Sequence, residues 1–144
     1  MHVDPRALRV AAWITTVVLA IALLTGNWVL LAAQTAIFAV GAFAGMRLSP
    51  YGLLYRFAIA PRLSPPAELE PAAPPRFAQG VGLAFATVGT IGYASGLTAL
   101  GVVATAFALA AAFLNAAFGL CLGCEMYLLI HRIVPTHTSK GATA

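Results

Sequence analysis

Cys121 and Cys124 are the only cysteines in a chain of 144 residues, and they stand two residues apart within Gly119-Leu120-Cys121-Leu122-Gly123-Cys124-Glu125-Met126-Tyr127. That spacing suits a redox pair or half of a metal site. The carboxylate that follows them, Glu125, is one of only four acidic side chains. On an unbroken helix, residues three and four apart share a face. Cys121, Cys124 and Glu125 would then form one polar patch, with His131 nearly two turns beyond Cys124. Cα atoms three apart in a helix also fall within the roughly 4.4–6.8 Å window of a disulfide. Thiol reactivity turns on the continuity of that helix. A break at Gly119 or Gly123 starts a new helix at the cysteines, whose N-terminal dipole favours a thiolate; without a break, the C-terminal dipole and Glu125 both oppose one.

Three uses of the pair compete. Cysteine is a good apolar filler in membrane helices, but two cysteines at this spacing, followed by a carboxylate, favour thiol–disulfide or persulfide exchange, with one cysteine attacking and the other resolving. A metal site ranks third: Cys121, Cys124 and His131, with Glu125 or His137, offer soft ligands. Their spacing fits no standard zinc pattern, two thiolates need a second subunit to complete a four-thiolate site, and no metal is expected.

The elements that must position these residues are membrane helices. The chain is 61% hydrophobic and 8% charged with mean hydropathy +0.92, against roughly 25% charged residues in a soluble domain. Apolar runs cover about 7–24, 28–45, 77–95 and 98–120, the last with a helical extension to about 132, and a span needs about 20 residues. The expectation is an all-α membrane protein, with four transmembrane helices in two hairpins within residues 1–134, and a disordered tail over 135–144. Arg6 and Arg9 resemble a basic leader, but no small-x-small cleavage site follows and a second apolar run begins at once, so the first helix reads as a retained anchor.

Residues 47–76 hold seven of the nine prolines together with Glu68 and Glu70. Proline cannot sit inside a helix without breaking it, so Pro61 to Pro75 reads as an extended surface loop, preceded by a short amphipathic segment, Tyr51 to Ile59, along the headgroup region. Arg6, Arg9, Arg47, Arg56, Arg62, Arg76, Arg132 and Lys140 all fall on one side of the four-span arrangement. The positive-inside bias makes that side cytoplasmic, which places both termini and the Pro-rich loop in the cytosol. The net charge of +4 is thus a topology signal, and no nucleic-acid partner is expected.

If the fourth span enters near Thr98, the hydrocarbon ends around Phe118, which leaves the thiols at the cytosolic boundary. Gly41 and Gly45, Gly92 and Gly96, and Gly119 and Gly123 have the spacing of close helix contacts and leave a homo-oligomer open. Gln34 and Asn115, deep in their spans, are expected to satisfy each other or a backbone carbonyl. A carrier for sulfur compounds or soft metal ions would need more polar residues through the midplane than these. A non-enzymatic scaffold docking a soluble partner through the Pro-rich loop is the other alternative.

The pieces Asp4-Pro5-Arg6, Pro65-Pro66-Ala67-Glu68-Leu69-Glu70, Pro75-Arg76-Phe77-Ala78-Gln79-Gly80-Val81-Gly82 and Asn115 through Tyr127 together resemble the bacterial membrane family called domain of unknown function 4395, over nearly the whole chain to about Arg132. The resemblance implies a small inner-membrane protein in the company of thioredoxin-like proteins and rhodanese-type sulfurtransferases, without an established reaction. It implies that Cys121, Cys124, Glu125, Asn115, Arg76 and Gln79 belong to the family pattern. Arg76 is expected to pair with Glu125, to stabilise a thiolate or to serve as an interfacial anchor. Tyr127 and His131 complete the candidate set. The cofactor is open, a membrane quinone being suggested only by architectural analogy with other four-helix thiol oxidoreductases.

Overall fold

The computed structural model describes residues 2–65, 69–71 and 73–133. The expectations for Glu68, His137, Lys140 and the tail over 135–144 lie outside the described residues. Four helices form a ring: α1 (Pro5–Thr25), α2 (Trp28–Phe43), α4 (Ala73–Ala94) and α5 (Thr98–Phe118). The first hairpin is not the main packing unit. α1 lies chiefly against α5 and α2 chiefly against α4, while α1 and α2 meet more slightly.

Sequence signals set the ends of these helices. Asp4 caps α1 by accepting from the Arg6 N–H, with Pro5 at the first helical position, and Asn27 caps α2 by accepting from the N–H groups of Val29 and Leu30. Three helices, α1, α4 and α5, are long and apolar enough to cross a membrane by length and composition. α2, with 16 residues, is shorter than expected, at roughly 24 Å for 1.5 Å per residue.

The interior mixes alanines with a few large residues, and many other large residues are turned outward. Leu19, Ala22, Leu31, Phe38, Ala86 and Ala108 form the buried cluster, whereas Trp13, Val17, Ile21 and Leu24 on α1 and Val102, Val103 and Phe107 on α5 are exposed. Small residues inside let helix backbones approach, as bundles in lipid require. Each of the three glycine pairs divides its work. Gly41, Gly92 and Gly123 sit at contacts where an added Cβ would come within 2.6 Å of Gln79, 2.6 Å of Gly101 and 2.5 Å of Ala78, while Gly45, Gly96 and Gly119 have positive φ.

In the segment expected to be amphipathic, α3 (Pro50–Leu54) runs into a π-helical turn over Tyr55–Ile59. The extended loop expected over Pro61 to Pro75 is shortened at both ends, by a 3₁₀ turn over Ala60–Arg62 and by an early start of the next helix. α4 begins at Ala73, four residues before the expected Phe77, with Pro74 and Pro75 in its first turn. The helix has no use for their missing N–H groups there, so proline starts a helix as readily as it breaks one. The stretch is also tied down. β1 (His2–Val3) pairs antiparallel with β2 (Glu70–Pro71). The Tyr55 hydroxyl donates to Asp4 Oδ2 at 2.8 Å, and the Arg6 guanidinium donates to the same oxygen at 3.1 Å and to the Ser64 carbonyl at 3.0 Å. Leu54 and Phe57 remain exposed around Arg56, in keeping with the amphipathic reading of this segment.

Gln34 is fully buried and does not meet Asn115. It accepts from the Tyr51 hydroxyl at 2.6 Å, and its Nε2 has no partner among the described residues.

Candidate functional site

The helix carrying the cysteines breaks. α5 ends at Phe118, Gly119 caps it at φ 70°, and a separate helix, α6 (Leu122–Ile133), begins three residues later. A left-handed residue costs glycine almost nothing, and the Gly119 N–H closes the cap by donating to the Asn115 carbonyl at 3.0 Å. Of the two outcomes open for this region, the one that starts a helix at the thiols holds.

Cys121 stands as the N-cap of α6. Its carbonyl accepts from the Glu125 N–H at 3.0 Å and its Sγ accepts from the Cys124 N–H at 3.2 Å. Cys121 and Cys124 are joined as a disulfide, with Cα atoms 5.2 Å apart, and both are half-buried. The one-face patch expected of an intact helix is thus replaced by a capped turn. Glu125 lies in the first turn of α6 and is exposed, where the helix dipole favours its negative charge.

α6 folds back against the start of α4. Gly123 rests on Ala78 with no room for a side chain, and the Tyr127 ring meets Phe77 with centroids 5.8 Å apart. Beside this contact a cavity of about 640 Å³ opens between α1, α4, α5 and α6. Its wall includes Cys121, Cys124, Glu125, Gln79 and Asn115, five of the eight residues expected at the site.

The other three stand elsewhere. Arg76 does not pair with Glu125; its Nε donates to the Ala42 carbonyl at 3.2 Å and its Nη2 to the Phe43 carbonyl at 2.8 Å. It closes the C-terminal end of α2, where unpaired carbonyls and the negative dipole end attract a cation. Tyr127 and His131 stack on one another, ring centroids 4.2 Å apart, and are not part of the cavity wall. Among the described residues no three His, Cys, Asp or Glu side chains gather closely enough to hold a metal ion.

One residue of the wall escaped sequence reasoning. Arg9, one turn inside α1, donates from Nη2 to the Ala116 carbonyl at 3.0 Å and lines the cavity. Arg9 is exposed overall, and counting it toward topology alone passed this contact over.

Fold and site together define a small helical bundle, compatible with a membrane protein, that holds a disulfide at a helix break beside a half-open cavity. The chain belongs to the family described as domain of unknown function (DUF4395), whose model matches residues 3–132. No curated protein and no solved structure matches it.

Proposed function

We propose that the chain is an integral membrane thiol–disulfide exchange protein. In this reading α2 crosses with the three longer helices, and the end of the bundle that carries the basic residues faces the cytoplasm. The observation that carries the proposal is the disulfide at the N-terminus of α6, where Cys121 Sγ already accepts a backbone N–H. The reduced pair would meet the same N–H and the positive end of the α6 dipole, both of which favour a thiolate at Cys121.

Exchange then runs through a mixed disulfide. A thiolate of a soluble dithiol partner attacks Cys121 Sγ, the Cys121–Cys124 bond breaks, and Cys124 leaves as a thiolate that takes up a proton. The partner's second thiol gives up its proton and attacks its own sulfur in the mixed disulfide. This closes the partner's disulfide and releases Cys121 as a thiolate. The reverse sequence oxidises the pair. Thioredoxin-like proteins are partners of the right chemistry, and rhodanese-type proteins would use the same cysteines for persulfide sulfur.

Trapping tests the assignment. In cells carrying Cys124→Ser, Cys121 lacks its resolving partner, and acid-quenched non-reducing electrophoresis should show a mixed disulfide to a soluble protein, at least several-fold more abundant than with Cys121→Ser. Equal or absent adducts in both variants would remove the proposed roles.

A further inference from the structure

The cavity beside the disulfide runs along the bundle as a half-open groove and ends where Phe85 and Phe107 are exposed. Phe85 and Phe107, whose ring centroids lie 5.9 Å apart, form part of its wall. Phe85 is twelve residues beyond the start of α4 and Phe107 eleven before the end of α5, which puts them roughly 17–18 Å below the helix ends at 1.5 Å per residue. Polarity falls along that depth. Arg9, Gln79, Asn115 and Glu125 lie near the end that holds the disulfide, whereas Phe38, Phe85, Phe107 and Ala108, together with Thr15, line the wall further in. A volume of about 640 Å³ lies within the usual span of small-ligand sites, which are mostly apolar with a few placed polar groups.

The geometry points to a lipid-soluble quinone as the occupant of this cavity and the two-electron partner of the Cys121–Cys124 pair. This rests on the exchange reading above and names its second substrate. A quinone matches the polarity gradient, with two carbonyl oxygens on a ring for the N–H donors of Arg9, Gln79 and Asn115 and an apolar tail for the aromatic depth. A phospholipid matches the apolar depth as well, but it has no use for a disulfide in the wall. Only an electron acceptor gives that placement a purpose. Arg9 spends one recorded N–H on Ala116, and a guanidinium carries five. The step balances without a further reagent. As the dithiol closes to a disulfide it gives up two electrons and two protons; the quinone takes the electrons, its two carbonyl oxygens take the protons, and a quinol leaves.

The test uses the full chain, purified in detergent and reduced, with decylubiquinone as probe. Its fully substituted ring blocks simple thiol addition. The expected result is quinol formation matched one to one by Cys121–Cys124 disulfide, with a rate that saturates in quinone. Ala111→Phe places a ring in the cavity and should slow that reaction at least tenfold, its folding checked by size-exclusion profile and melting temperature. Should that variant not fold, saturation in the wild type decides alone. A rate strictly linear in quinone, the same in protein unfolded by strong detergent, would overturn the inference, as would tightly held phospholipid that quinone neither displaces nor reacts beside. The two proposals fail separately: a disulfide that a soluble dithiol cannot reduce ends the exchange reading, whereas one that soluble dithiol reduces and quinone does not restore ends only this one.

Discussion

The backbone N–H of Cys124 points at the sulfur of Cys121, 3.2 Å away, so the first turn of α6 is closed by a cysteine where serine, threonine, aspartate or asparagine usually stands. The bond gives one of the two sulfurs an environment the other lacks. In the reduced protein, Cys121 in the Cys124→Ser variant should therefore be alkylated at neutral pH several-fold faster than Cys124 in the Cys121→Ser variant. Competition between iodoacetamide and a free thiol of known rate measures this, and equal rates would show that the α6 terminus does not activate Cys121.

Gly123 holds the pair in place from the other side. A Cβ there would lie 2.5 Å from the Ala78 Cα, a backbone atom that cannot step aside. Gly123→Ala should cost about 1–3 kcal/mol through overpacking and displace the start of α6, lowering the fraction of disulfide as well as the melting temperature. Gly119→Ala, at φ 70° with open space around it, should cost only about 1–2 kcal/mol from left-handed strain. Thermal unfolding in detergent, with disulfide content read by mass spectrometry, separates the two.

Arg76 supplies the contrast. Its bonds go to the Ala42 and Phe43 carbonyls, so Arg76→Ala should lower stability by about 1.5–3 kcal/mol, typical of hydrogen bonds to a charged group, and leave the rate of disulfide reduction by dithiothreitol within twofold of wild type. A tenfold change in that rate at unchanged stability would return Arg76 to the site.

The Asp4 cluster should make stability depend on acid. Burial pushes the Asp4 carboxyl up, but the Arg6 side-chain and backbone hydrogen bonds, the Tyr55 hydroxyl and the Arg6 charge together outweigh it and hold the group below its ordinary value. A carboxyl lowered in the folded state contributes stability that is complete above its unfolded value, about 3.9, and is lost as pH falls through the folded one. The melting temperature should fall below about pH 4, and Asp4→Ala, which also loses the α1 cap, should cost about 0.5–2 kcal/mol at neutral pH and show a weaker decline in acid. An equal decline in the variant would assign the acid sensitivity to other carboxyls.

The helix positions were legible because apolar run length and turn residues act locally. Thr25-Gly26-Asn27 marks the first turn and Asn27 caps α2, and α5 starts at the expected Thr98 and ends at Phe118, two residues before the expected 120. What escaped depends on contacts distant in sequence. Pro74 and Pro75 read as breakers because only the path of the chain shows that they open α4. Arg76 read as a partner for Glu125, a thiolate stabiliser or an interfacial anchor, because nothing in the sequence brings it to the end of α2. Arg9 meets Ala116 across 107 residues, and Tyr51 reaches Gln34 through a turn that the proline content concealed. Both fates of the cysteine helix were foreseeable, but the choice between Gly119 and Gly123 as its breaking point was made by Ala78, which leaves Gly123 packed inside a helix.

The state of Cys121 and Cys124 in native membranes tests the central claim most directly. Acid quenching, differential alkylation and mass spectrometry report it, with and without a soluble reductant added before the quench. The account predicts a mixed population containing the Cys121–Cys124 disulfide, which shifts toward free thiols when the reductant is present. Thiols that are fully reduced and label slowly under every condition would contradict it and leave the pair as packing residues at a helix break.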